Sequence, residues 1–144
     1  MASLVYNNGM HLIVTQALNF DTDDIRCLLL KTGYTPDKDH VYVSNLTPAS
    51  YEVTVGGYSR TASLAANTAI TKDDSTDRVK FAASNVAFGA LATGETVIAA
   101  VIYKYNAADA SAPLICYADF TDTPTNGSTF TVNWHADGIF YIQM

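Results

Sequence analysis

Between Val97 and Tyr105 the chain carries an apolar run rich in Val, Ile and Tyr, and this run constrains the fold more than any other feature. β-Branched and aromatic side chains suit a pleated strand better than a helix. Asn106 to Pro113 breaks the run, Leu114 to Phe120 resumes it, and Thr121-Asp-Thr-Pro-Thr-Asn-Gly127 turns the chain again. Phe130, Val132 and Trp134 then alternate with Thr131, Asn133 and His135, ahead of a short Ala136-Asp-Gly138 turn and a closing aromatic cluster. The pattern predicts an antiparallel meander from Thr96 to Met144.

The same grammar extends upstream. Ile25 to Lys31 reads as a strand closed by Gly33 and Pro36, and Asn19 to Asp24 as a polar break before it. In Leu4 to Ala17, Tyr6, Met10, Ile13 and Ala17 recur at helical spacing, against Gly9 and the β-branched Val14 and Thr15, and a short helix is expected. Asp37 to Leu46 suits one loose helical turn ahead of Thr47-Pro48, followed by a strand from Tyr51 to Val55 that Gly56-Gly57 ends. From Tyr58 onward the pattern stays β. Ala69 to Lys72 and Arg78 to Ala82, around a turn at Asp73 to Thr76, predict a hairpin with Val79 and Phe81 on one face and Arg78 and Lys80 on a wet face. A further short segment covers Asn85 to Leu91.

Seven or so short strands without βαβ alternation predict a mainly β chain, an antiparallel β-sandwich or jelly roll. Residues 1–20 form an N-terminal helix or arm in this reading, and residues 21–144 form the sandwich.

Composition narrows the function classes. With 144 residues and 49% hydrophobic content the chain is able to bury its own core. A net charge of −6, with eight scattered Lys and Arg, argues against a nucleic-acid surface. Twelve of the fourteen acids are Asp, the turn former; only Glu52 and Glu95 are Glu. The start, Met1-Ala-Ser-Leu-Val-Tyr-Asn-Asn8, has neither the basic lead nor the long apolar core of a signal peptide or membrane span, so a soluble product of a cytoplasm without a membrane partner is expected. In that compartment the glycosylation triplets at Asn45 and Asn126 carry little weight.

Residue types that carry chemistry lack the company they need. Cys27 and Cys116 sit inside apolar runs and read as small buried hydrophobes rather than a bridge. His11, His40 and His135 have no ligand partner at metal spacing, and the Asp21, Asp23, Asp24 and Asp73, Asp74, Asp77 groups lack the glycine and terminal Glu of a calcium loop. Ser59, Ser63 and Ser84 have no nucleophile elbow, and Gly56-Gly57-Tyr58 lacks the Lys and the helix of a phosphate loop. Trp134, Phe140 and Tyr141 suit a sugar-stacking platform less well than core packing. No catalytic residue, cofactor site or metal site is expected, and the chain does not read as an enzyme.

Leu4-Val-Tyr-Asn-Asn8, Asp21-Thr-Asp-Asp-Ile25, Leu28-Leu-Leu-Lys-Thr-Gly-Tyr-Thr-Pro-Asp37, Gly57-Tyr58, Thr71-Lys-Asp-Asp-Ser-Thr-Asp-Arg78, Val101-Ile-Tyr-Lys104, Pro113-Leu-Ile-Cys-Tyr-Ala-Asp-Phe120 and Ala136-Asp-Gly-Ile-Phe140 together resemble a family of small tailed-phage structural proteins. The resemblance implies a virion component. Its first expectation is a capsid decoration or cement protein on the outer surface of the major capsid protein lattice; a head-fibre, tail or carbohydrate-binding host-attachment protein is the alternative. It brings the major capsid protein and further copies of the chain as partners, a trimer by analogy with decoration proteins. It brings no catalytic signature.

Overall fold

A computed structural model describes residues 2–61, 64 and 68–143. Its centre is a four-stranded antiparallel sheet in the order β1-β7-β6-β2, built from β1 (Leu4–Val5), β2 (Ile25–Lys31), β6 (Thr96–Lys104) and β7 (Leu114–Pro124). Every residue of β6 from Val97 to Tyr103 is buried, because both faces of this sheet are covered. That explains why the run shows no polar alternation. One face, with Cys27, Leu29, Ala100 and Ile102, packs on Phe20, Phe81, Phe88 and Val132. The other, with Leu28, Leu30, Val101 and Tyr103, packs on Tyr6, Tyr34, Val43, Leu46 and Ala112.

Two smaller antiparallel sheets complete the structure: β3 (Thr68–Asp73), β4 (Arg78–Ala83) and β9 (Phe140–Gln143) in the order β3-β4-β9, and β5 (Val86–Ala90) with β8 (Thr129–Val132). The chain is thus a mainly antiparallel β-sandwich-like domain with one short N-terminal helix, α1 (Asn7–Val14), as the strand pattern predicts. The 3-10 turn at Val43–Leu46 falls within the stretch expected to hold a helical turn.

Several local expectations are corrected. The last third is not a single meander: after the β6–β7 hairpin, β8 crosses to β5 and β9 to β4. Thr121 to Pro124 continues β7 instead of turning, since Thr123 and Pro124 find partners in Val97 and Thr96. The turn begins only at Thr125, whose N–H donates to the Glu95 carbonyl. Tyr51 to Val55 is not a strand. Pro48 starts a one-turn helix, α2 (Pro48–Tyr51), and only Glu52 bridges to Leu30. No strand forms over residues 58–61.

The helix also turns a different face inward. Gly9, Leu12 and Ile13 lie against the domain, while Met10 and Val14 are exposed. A Cβ on Gly9 would stand 2.6 Å from the Ile115 carbonyl oxygen, so the residue that lowers helix propensity is the one that lets α1 lie on β7.

Cys27 and Cys116 are free and buried. Both pair with Ile102, from opposite sides. They stand two strand spacings apart, about 9–10 Å, beyond the reach of a disulfide.

The open edge of β2 is covered by the segment that follows α2. Val53, Thr61 and Leu64 donate backbone N–H groups to the carbonyls of Leu29, Cys27 and Ile25. Thr61 Oγ1 and Tyr58 Oη accept from the N–H groups of Cys27 and Leu29. The only two glutamates hold this segment down. Glu52 accepts from Tyr58 Oη at 2.8 Å and from Arg60 at 2.7 and 2.6 Å, and Arg60 continues to Asp109. Glu95 accepts from Lys31 Nζ at 2.6 Å and from the backbone and hydroxyl of Thr54 at 2.8 Å.

Burial by itself would raise the Glu95 carboxyl, but the Lys31 ammonium and the two Thr54 bonds prevail and hold it down at about 2. Its folded pKa lies below the unfolded value, so its contribution to stability is complete above about pH 5 and is lost as pH falls towards 2. Urea titrations of wild type and Glu95→Gln should therefore show stability falling less steeply in the variant across that window. Parallel slopes would refute the assignment.

Candidate interaction surface

The β3–β4–β9 sheet is only partly covered by the core that anchors it. Register places Ile70 opposite Phe81, Lys72 opposite Val79, Val79 opposite Ile142 and Phe81 opposite Phe140, so these side chains share one face. At the inner end Phe81 is buried and stacks on Phe140 at 4.4 Å between ring centres, with Phe20 edge-on to both. Ile70, on the edge strand β3 beside Phe81, is nevertheless 42% exposed, and Val79, further out on β4, is 36% exposed. Val79 therefore shares a face with Phe81, as the alternation predicts, but not its burial. Exposure on this face rises both outward along β4 and sideways to the edge strand β3.

The opposite face carries a compact set of ion pairs. Lys80 lies 2.8 Å from Asp73 and 3.2 Å from Asp137, and Arg78 lies 3.3 Å from Asp137. The ammonium of Lys80 leads in lowering both carboxyls, and those carboxylates in turn raise Lys80. The Arg78 guanidinium stands 4.4 Å over the Tyr141 ring. Two cations facing two anions leave this face without net charge, and they tie β3, β4 and the 135–138 turn together. Arg78 and Lys80 are half-buried in these ion pairs, and Thr71, Tyr141 and Gln143 beside them are exposed, so the face expected to be wet does meet solvent.

Two open grooves flank the sandwich. One is lined by Phe120, Thr123, Phe130 and Val132, the other by Leu4, Val5, Ile139 and Phe140. Polar side chains also line both, Thr123, Asn126 and Asn133 in the first and Ser3, His135 and Asp137 in the second, where Asp137 is already paired with Lys80 and Arg78.

The structure disperses the chemistry-bearing residues picked out from the sequence. His11 is exposed on α1, His135 is exposed in a turn, and His40 holds the Tyr34 hydroxyl at 3.1 Å. Among the described residues no group of three or more His, Cys, Asp or Glu side chains is placed to hold a metal ion. Asp23 is occupied by Lys104, Asp74 by Lys72 and Asp73 by Lys80. Ser63 lies outside the described residues. Asn45 Oδ1 accepts from the N–H groups of Val41 and Tyr42, and Asn126 Oδ1 from that of Ser128, so both side chains shape their loops.

The three aromatics near the end do not make a common platform. Phe140 is half-buried against the core, Trp134 is half-buried with its indole N–H donated to the Ser84 carbonyl, and Tyr141 is exposed on the other face of β9. The exposure of Ile70 and Val79 was not visible in the sequence, because alternation announces an apolar face and not whether another layer reaches it. No protein-family model, curated protein or solved structure matches the chain.

Proposed function

We propose that the chain is a structural component of a tailed-phage virion, a decoration protein that binds the outer surface of the assembled capsid and stabilises the head. The observation that carries this reading is the apolar pair Ile70 and Val79 on a stiffened hairpin, exposed among the described residues. An apolar centre with a polar, charge-balanced rim is the anatomy of a protein interface. A small domain that binds only the assembled shell stabilises it by mass action, and many copies multiply a modest contact. The resemblance to phage structural proteins supplies the partner, the major capsid protein. A glycan-binding reading has less support, since Trp134 and Phe140 are committed to packing.

Cosedimentation with assembled, undecorated capsids, with free capsid subunits as the control, tests this. Saturable binding to shells alone is the expected result. Replacing Ile70 and Val79 together by Lys should weaken binding about tenfold or more, as loss of a central apolar anchor does. The melting temperature should hardly move, because exposed positions change stability by only about 0.5 kcal/mol. Absence of binding to shells, or binding indifferent to the pair, would overturn the reading.

A further inference from the structure

We propose that the groove between β7 and β8 is a binding site for a short, uncharged oligosaccharide. The case starts from two consecutive strands that do not close into a hairpin. Residues 125–128 alone join them, yet β7 and β8 do not pair with each other, because β8 pairs with β5. The connecting loop is pinned: Thr125 donates its N–H to the Glu95 carbonyl, Gly127 to that of Leu91, and Leu91 to that of Ser128. The strands thus leave between them a groove of about 410 Å³, within the size range of small-ligand sites. It is formed before any ligand arrives, which lowers the ordering cost of binding.

Chemistry selects the occupant. The floor is apolar: Phe120 and Phe130, both half-buried, stand 6.1 Å apart between ring centres at a tilt of 43°, beside buried Val132. The rim carries hydroxyls and carboxamides. Among the described residues, the exposed side chains of Thr121, Thr129, Thr131 and Asn133 have no hydrogen-bond partner. No residue lining this groove is ionisable, whereas the groove beside β1 holds His135 and Asp137 and one beside β4 holds Lys72, Asp73 and Arg78. A charged ligand finds no counter-ion here, and an anion is also opposed by the net charge of −6. A neutral sugar ring complements both parts of the groove. Its C–H face suits the phenyl rings, and its hydroxyls, each donor and acceptor, match side chains that are donors and acceptors too.

An added peptide strand is a poorer fit. It needs a regular ladder edge, but β7 is irregular between the partners of Val97 and Ala99, and Pro124 has no N–H to donate. The four residues of β8 extend about 13 Å, room for a short chain of sugar rings. The site stands apart from capsid binding, since it uses neither Ile70 nor Val79, and it owes nothing to Trp134 or Phe140.

The test is an NMR titration of the full chain, following backbone amides, with neutral oligosaccharides of glucose, galactose, mannose and N-acetylglucosamine. An oligomer of galacturonic acid and an uncharged extended peptide are the contrasts. At least one neutral oligosaccharide should shift the amides of residues 120–123 and 129–133 saturably, and the acidic oligomer should bind more weakly. Replacing Thr131 by Val and Asn133 by Ala together, both at exposed positions, should weaken that binding about tenfold while the melting temperature holds. Replacing Ile70 and Val79 by Lys should leave it unchanged. No saturable shift with any neutral sugar, shifts confined to another surface, an acidic oligomer that binds as well, indifference to the Thr131 and Asn133 changes, or binding of the peptide instead overturns the proposal.

Discussion

Gly57→Ala is expected to lower the melting temperature by roughly 10 °C, corresponding to about 3–4 kcal/mol in a domain of this size. Two costs combine. Gly57 sits at φ +89°, where a side chain is strained, and a Cβ there would stand 2.1 Å from the Ala90 carbonyl oxygen. That oxygen is backbone and has little freedom to retreat. The adjoining Ala92 N–H donates to the Gly56 carbonyl at 2.9 Å, and Leu91 is tied to Ser128 and Gly127. Gly127→Ala provides the comparison, with φ +84° and nothing within 4 Å, and should cost only the conformational share, about 1–2 kcal/mol. Thermal or urea denaturation of the pair separates strain from contact. Equal losses would show that close approach to Ala90 contributes nothing.

Glu52→Ala should cost about 3 kcal/mol, at the lower end of what removal of one partner from a buried ion pair costs, because Asp109 still holds Arg60. The Glu52 side chain is 11% exposed, and its loss strands the Tyr58 hydroxyl as well as half of the Arg60 guanidinium. The consequence reaches further than the pair, because Tyr58 Oη accepts from the Leu29 N–H and thereby covers the β2 edge. Hydrogen exchange at Leu29 and Cys27 should accelerate in the variant, more than at β6 in the centre of the sheet. A double-mutant cycle with Arg60→Ala measures the coupling directly. A loss below about 1 kcal/mol, or unchanged exchange at Leu29, would show that the 52–64 segment is held by its backbone bonds alone.

The two glutamates illustrate how far residues can be read before their contacts are known. Their scarcity among fourteen acids stands out in the sequence, and an Asp-rich composition points to a turn-rich β protein. Their work is invisible there: Glu95 reaches Thr54, 41 residues away, and Glu52 and Asp109 meet on one arginine. Gly9 shows the reverse. By propensity it weakens a helix, and only the neighbouring Ile115 backbone explains why a smooth surface belongs at that position.

What the sequence determined by itself is the material of the sheet. Runs such as Ile25–Lys31 and Thr96–Lys104 are strands because side-chain shape and burial favour the pleat locally, and turn residues end them within short range. Which strand lies beside which was decided only by the tertiary structure. An edge of β6 satisfies its hydrogen bonds equally well with any partner of the right length, and register depends on which apolar faces must be covered from afar. For the same reason Phe81 became core, stacked on Phe140 and met edge-on by Phe20, while Val79, two residues earlier on the same face, became surface.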